Sequence, residues 1–415
     1  FPPKSVKDEI DRVCSVLQEK GRDYLCKMFR QTYPNTLETT TSILEDNTVY
    51  VITGDIGLMW MRDSSAQVHQ YVKLLKHDPY IQILIEGVIR RQIQWIKLDP
   101  YGSSFRLKLD FENSGKKLLT DWDIKSGRTI HVSMHDYEID SLCYFLRLSY
   151  NYKQEMNECL LFEEEWLAAA KAIVQLWRTE QRHNDLSSYT YPILKNNGKG
   201  SRTCYTGMTW GGSRPSDDPC KYHFLVPSNM FAVVVLGYLQ EILIDCYPGE
   251  SDFYAVVQSL KEEIDEGIHQ HGTMSINGGT SYVYEVSGCG DYNYMDDANV
   301  PSLLSMDYLG YSSPHDPDRT IKDHTIATIL SPNNPQFFST PDITGIGSPH
   351  TRPGYVWPMS VIIQAMRETD PKKINELIDM LQNSDAGTGF MHESVSGNKG
   401  SSYTRSWFAW ANSLF

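Results

Sequence analysis

The sequence predicts an all-α fold, with helix pairs wrapped around a central axis and loops meeting at one mouth. Three observations point to it. Apolar residues recur at helical period along most of the 415 residues. Strand signals are few. Long loops rich in Gly, Pro and Asp separate the helices.

The helical stripes come in sequence order. Ile81, Leu84, Ile85, Val88, Ile89 and Ile96 form one apolar face; Ile139, Leu142, Cys143 and Leu146 form the next. Trp166, Ala170, Ile173 and Trp177 follow, then an apolar helix over about 230–244, then Phe253, Val256, Val257, Leu260, Ile264 and Ile268. Val361, Ile362, Ala365 and Met366 lead into Ile374, Leu377, Ile378 and Leu381, and the chain closes on Trp407, Phe408, Ala411 and Leu414. Ser228 suits the N-cap of the helix near Met230. Pro301 and Pro358 suit first helical turns. Only 48–53 and 282–286 read as strands. Helix pair plus loop recurs every 40 to 60 residues or so, with no compositional break, so one domain over 1–415 is expected.

Composition bounds the function. Hydrophobic residues make up 40 % and charged residues 22 %, the balance of an ordinary globular chain. The net charge of −14 and the lack of a basic cluster argue against nucleic acid or an anionic membrane as partner, and against phosphorylated or uronic-acid substrates. They leave neutral sugars open. The chain begins FPPKS, as a mature form would, and no apolar run is expected to span a bilayer. Eight cysteines include no CxxC pair, which removes zinc-knuckle and thioredoxin-type readings. Cys143 on its apolar stripe reads as buried and free; Cys204 and Cys220, flanking one loop, are the pair to expect if any forms.

Long loops on a helical scaffold carry function more often than structure. Here they span 54–60, 101–135, 186–219, 273–299, 331–353 and 384–402, and they hold the polar chemistry. In GMTWGGSRPSDD the neighbouring Asp217 and Asp218 sit in a turn with Trp210 and Arg214. Adjacent turn residues point different ways, so one could donate a proton while the other binds hydroxyls or holds Arg214. An Asx-type turn is the plainer alternative. In GDIGLMWMRDSS, Asp55, Trp60, Arg62 and Asp63 are costly to bury together. Arg62 could orient a carboxylate with its forked donors, Trp60 could stack on a sugar ring, and Asp63 or Ser64 could cap a helix. Glu138 and Asp140 suit a first helical turn by charge alone. Asp296 and Asp297 could bind hydroxyls, cap a helix or hold calcium. His350 precedes an aromatic helix start. Glu393, in GTGFMHES, has no helix to stabilise and suits a water-activating base. HExxH, Walker, dinucleotide and nucleophile-elbow motifs are absent.

The segments TGDIGLMWMRDSSAQ, EIDSLCY, GMTWGGSRPSDD, VPSNMFAVVVLGY, MDDANVPSLL and GTGFMHES resemble glycoside hydrolase family 125, the exo-α-1,6-mannosidases, in order from about residue 33 to the end. The resemblance implies an (α/α)6 toroid and metal-independent, inverting release of mannose from the non-reducing end of α-1,6-linked mannosides, with no cofactor. It places the general acid on Asp217, with Asp218 the lesser alternative, and the general base on Glu393. It also sets Arg62, Asp63, Asp140, Trp210, Arg214, Asp296 and His350 around the terminal mannose. Gly211-Gly212-Ser213 replaces an expected bulkier residue and puts the shape of a neighbouring subsite in question. The general acid must keep its proton near neutral pH, through burial or nearby acids. Two alternatives stand beside hydrolysis: a non-catalytic mannoside-binding protein, and a calcium-dependent mannosidase using Asp296 and Asp297. A monomer is expected; the compartment, cytoplasmic or secreted, and the natural glycan stay open.

Overall fold

The computed structural model describes residues 2–107, 123, 128–396 and 402–415, so the middle of the expected loop 101–135 and residues 397–401 of the loop 384–402 lie outside the described residues. The chain is mostly helical, as the periodicity predicts. Lys4–Glu19 packs on Asp23–Thr32, Pro79–Leu98 on Glu164–Glu180, and Pro358–Arg367 on Pro371–Asn383. Val226–Cys246 lies between Ile139–Met156 and Ser251–His271. The stripes named above supply the buried faces: Leu84, Ile85, Val88 and Ile89 are fully enclosed, as are Trp166, Ile173 and Trp177. One contiguous apolar core runs from Val6 to Ala411.

Two of the proline expectations divide. Pro358 opens its helix. Pro301 does not: the Val300–Pro301 bond is cis, and the next helix starts at Met306. Ser228 is not a cap either. The helix begins at Val226, one turn early, and Ser228 sits inside it with its hydroxyl 3.4 Å from Asp140. Ser64, inside the short helix Met61–Ala66, returns its hydroxyl to the Met61 carbonyl instead of capping.

Val226–Cys246 is long and apolar enough to cross a membrane, which the sequence reading did not expect. Here Asn229 ties it to both the amide and the carbonyl of Thr209, and its buried face meets two other helices. Both polar groups of the Asn229 side chain are thereby paired inside the protein, as buried polar groups require.

The strands are short and local. Met59–Trp60, Ser104–Phe105 and Val132–Met134 form one antiparallel sheet, and Phe224–Leu225, Glu285–Val286 and Tyr292–Asn293 another. Hairpins join Thr41–Ile43 to Val49–Val51, Thr273–Ile276 to Gly279–Tyr282, Phe337–Ser339 to Thr344–Ile346, and Ser394–Ser396 to Ser402–Thr404. The predicted 48–53 falls on Val49–Val51, while the predicted 282–286 is split: Tyr282 ends one hairpin strand and Glu285–Val286 belongs to a separate sheet. The strands stiffen the loops: Trp60 ends one, Glu393 precedes another, and Arg405 follows its partner.

Three disulfides cross-link the chain: Cys14–Cys26, Cys159–Cys246 and Cys204–Cys289. The expected Cys204–Cys220 pair is therefore wrong. Cys220 is buried and free, as is Cys143, which was expected to be. Cys204 instead ties loop 186–219 to loop 273–299. Cys159–Cys246 closes a loop of 87 residues, and closing a loop of that size restricts the unfolded chain strongly. Replacing both of these cysteines by Ser should cost about 2–4 kcal/mol in urea unfolding under oxidising conditions. Equal stability of variant and oxidised wild type would show that this bridge does not support the fold.

Candidate active site

Five of the six long loops meet at one cavity. Asp55, Pro215, Ser216, Asp217, Asn299, His350 and Glu393 line it from those loops, with Trp60, Arg62 and Asp63 beneath and Trp357, Phe408 and Trp410 as an aromatic wall. It encloses roughly 470 Å³ with its open mouth included.

Asp217 is presented by a tight turn. Its φ of 67° is left-handed, which Asp tolerates better than most residues. The turn is closed by Asp217 N–H to the Arg214 carbonyl (2.9 Å) and Arg214 N–H to the Asp218 carbonyl (2.8 Å). The Asp217 side chain takes no part in the turn. It reaches across to accept from Trp60 Nε1 and Arg62 Nη2, both at 3.1 Å. Asp218 points the other way, to Ser216 Oγ (3.2 Å) and His350 Nδ1 (3.3 Å). Its hydrogen bond and charge raise the His350 pKa. The two acids thus have different partners, as the turn predicts.

Arg62 is enclosed and surrounded by acids. It donates to Glu138 at 2.7 Å, lies 3.3 Å from Asp63 and 3.6 Å from Asp140, and its guanidinium stands 5.3 Å from the Trp410 ring centre. Burial works against its charge, but Glu138, Asp63, Asp217 and Asp140 hold it well above the usual arginine range. Its two Nη groups donate to Glu138 and Asp217, so it holds carboxylates rather than forking onto a sugar. Burial lifts Asp63 and Asp140 to about 6 against the pull of Arg62. Asp140 lies behind Arg62 and does not line the cavity.

Glu393 is held by a residue close to it in sequence, which also reaches Asp55 from the other end of the chain. Arg405 donates from Nε to Glu393 Oε1 at 3.1 Å and from Nη1 to Asp55 at 2.5 Å. Glu393 and Asp55 hold the Arg405 charge against its burial.

Several predicted residues stand away from the cavity. Trp210 is sealed between His183 (ring centres 3.7 Å apart) and His223 (4.5 Å), so it packs the core and offers no face to a sugar. Arg214 donates from Nε to buried Glu285 at 2.6 Å and does not line the cavity. Asp296 accepts the amides of Leu303 and Leu304 at 2.8 and 2.9 Å and so fixes the turn after cis-Pro301. Burial raises it to about 8. Asp297 accepts from Asn299 N–H and Nδ2 and from Ser348 Oγ, and it positions Asn299 at the cavity edge. All four oxygens of this pair are occupied, which is a poor start for a calcium site. The glycines of 211–213 face inward: a Cβ at Gly211 would meet Ile139 at 3.1 Å and one at Gly212 the Tyr137 carbonyl at 3.3 Å. They allow close backbone packing and do not shape a subsite.

Asp136, Asn299, Trp357, Arg405, Phe408 and Trp410 were missed. Asp136 had a signal: Asp136, Glu138 and Asp140 alternate in DYEID, and extended residues two apart share a face. The aromatics looked like core periodicity, and Arg405 is a lone charge in a polar loop. The oxygens of Asp136, Glu138 and Asp217 lie within 4.8 Å of one another, a spacing at which carboxylates share either a cation or protons.

Comparison with known proteins decides the class. The description "metal-independent alpha-mannosidase (GH125)" matches residues 23–415. This chain belongs to glycoside hydrolase family 125. A metal-independent α-mannosidase of Streptococcus pneumoniae, solved in a non-productive complex with α-1,6-mannobiose, is 38 % identical over 100 % of this chain and 97 % of its own, with a TM-score of 0.90. The meiotically up-regulated gene 157 protein of Schizosaccharomyces pombe is 36 % identical over all of this chain and 85 % of its own length. A glycosidase solved with glucose shares the fold at a TM-score of 0.55 and 12 % identity, over 94 % of this chain and 95 % of its own. The α-mannosidase is therefore a glycoside hydrolase of mostly helical fold.

Proposed function

We propose that this α-mannosidase is an inverting exo-α-1,6-mannosidase, a single-domain monomer on an (α/α)6 toroid. The observation that carries the mechanism is that Asp217 and Glu393 line one cavity while separate partners fix each of them. Asp217 protonates the glycosidic oxygen. Glu393 takes a proton from a water on the opposite face of the ring, and that water's oxygen bonds to the anomeric carbon as the glycosidic bond breaks. This geometry calls for carboxyls roughly 6.5–9.5 Å apart in the substrate complex. Trp60, Trp357 and Trp410 supply apolar ring faces; Asp63, Asn299 and His350 supply hydroxyl partners. The small cavity supports entry of one terminal sugar. The α-1,6 linkage rests on the mannobiose bound by the streptococcal relative. Three disulfides support folding in an oxidising compartment.

NMR of a fresh α-1,6-mannobiose digest tests this reading. β-Mannose should appear first, and exhaustive EDTA treatment should leave the rate unchanged. α-Mannose as the first product would overturn inversion. Loss of the rate in EDTA, restored by calcium, would revive the metal-dependent alternative. Tight binding of the disaccharide without turnover would make the chain a mannoside-binding protein.

A further inference from the structure

We propose that Glu285 is a positioning residue for the hydrolysis: it clamps both ends of the turn that carries Asp217 and so sets where that carboxyl meets the glycosidic oxygen. The proposal rests on the mannosidase reading and deepens it. Trp60 and Arg62 hold the Asp217 side chain, but they can do so only if the turn beneath it stands at the right place. The turn's own bonds, Asp217 N–H to the Arg214 carbonyl and Arg214 N–H to the Asp218 carbonyl, fix its shape and not its place. A group outside the turn must fix the place.

Glu285 is that group. Its side chain is fully buried and reaches the loop both before and after the turn. Arg214 donates from Nε to Oε1 at 2.6 Å, the short distance of a charge-assisted bond. Beyond the turn, the amides of Lys221 and Tyr222 approach Oε1 and Oε2, each at 3.4 Å. At its base the loop is anchored by the amides of Gly212 and Ser213, which donate to the Tyr137 carbonyl at 2.8 and 3.0 Å. Among the described residues, the backbone of 214–222 and the Arg214 side chain are hydrogen-bonded outside the loop through Glu285 alone.

Glu285 is itself firmly placed. Glu285–Val286 is the central strand of its sheet, with Glu285 opposite Leu225 on one side and Asn293 on the other. Asn293 Nδ2 donates to Oε2 at 3.2 Å, so both carboxylate oxygens have defined partners. The Cys204–Cys289 disulfide ties the same hairpin to the segment that leads into the loop, and the Cys204 amide donates to the Ser287 carbonyl at 2.9 Å. Arg214 is buried too, and Glu285 holds its charge against that burial. A buried ion pair adds little net stability, because desolvation offsets the attraction. Here it fixes geometry: the guanidinium Nε and the two amides together set how 214–222 lies on the strand. The Arg214 charge also acts on Asp297, which positions Asn299, so the clamp reaches a second cavity residue.

The test is kcat/KM on α-1,6-mannobiose and on an α-mannoside with a dinitrophenolate leaving group, for wild type, Glu285→Gln and Arg214→Lys. A displaced acid harms only a leaving group that needs its proton. Glu285→Gln removes the charge that grips Arg214 without changing size. It should slow mannobiose by about 10- to 100-fold, the loss expected when a reacting group is misplaced by about 1 Å. The dinitrophenyl substrate should slow by less than about threefold. Arg214→Lys keeps a charge but no donor at the Nε position, and should show the same bias with a smaller loss. Equal losses on both substrates would reduce Glu285 to scaffolding, and an unchanged rate on mannobiose would remove it from the reaction; either overturns the proposal. Hydrogen exchange read by mass spectrometry needs no turnover. The amides of Arg214, Asp217, Cys220, Lys221 and Tyr222 all donate, so 214–222 should exchange slowly in wild type and faster in Glu285→Gln. Unchanged exchange in the variant, or fast exchange in wild type, would also overturn it. If Glu285→Gln fails to fold, Arg214→Lys decides both measurements. A wild type that does not cleave mannobiose would refute the proposed function, and exchange alone would then decide whether Glu285 clamps the turn.

Discussion

Asp217→Asn should slow hydrolysis of α-1,6-mannobiose by about 10²–10⁴-fold, and should slow an α-mannoside with a dinitrophenolate leaving group far less. The sugar alkoxide is a poor leaving group and needs a proton as the bond breaks. Dinitrophenolate departs without one. Glu393→Gln should slow both substrates by similar factors, because the attacking water must lose its proton whichever group leaves. The ratio of kcat/KM on the two substrates thus separates the roles without any structural change larger than one atom per side chain. Asp218→Asn is the internal control. Its carboxylate bonds His350 and Ser216, so the effect should fall on KM and be similar for both substrates. A leaving-group-dependent loss in Asp218→Asn, with none in Asp217→Asn, would exchange the two acids.

The sequence carried the helices and the long loops because both are local. Periodic apolar stripes such as Leu84–Ile85–Val88–Ile89 bury whatever their partners are, and Gly- and Asp-rich segments cannot continue a helix. It also singled out Asp217 and Glu393, acids in turns without a helix to cap, and the structure brings both to one cavity. What was not legible depends on contacts between distant segments. Arg214 and Trp210 have the chemistry of a sugar site, but Glu285, His183 and His223 occupy them first. Asp296 looked like a ligand and is the acceptor that fixes a turn. Arg405 looked like nothing and holds the proposed base. Cys204 was paired with the wrong partner because nearness along the chain stood in for nearness in space. Residue type gave the chemistry available; only packing showed where each group is used.

Arg62→Met should be the most destabilising single change at this site, by about 3–5 kcal/mol, since it strips a buried charge from carboxylates that stay behind. Met fills much of the same space, so the loss is electrostatic rather than a cavity. Its pH dependence carries the sign. In wild type, Asp63 and Asp140 at about 6 and Asp136 at about 8 all lie above the unfolded carboxylate range near 4. The folded protein therefore holds more protons than the unfolded chain across that window, and these groups cost stability as pH rises through it. Arg62 opposes that cost by pulling Asp63, Glu138 and Asp140 down. Without it their proton affinities climb and the slope steepens. Urea unfolding should place the variant nearest wild type at about pH 5 and furthest at about pH 8. Arg62→Lys should fall between, keeping a charge but losing the fork that reaches Glu138 and Asp217 together. A deficit that does not change between pH 5 and pH 8 would mean that the surrounding carboxyls keep one protonation state across that window, and would overturn this account of the slope.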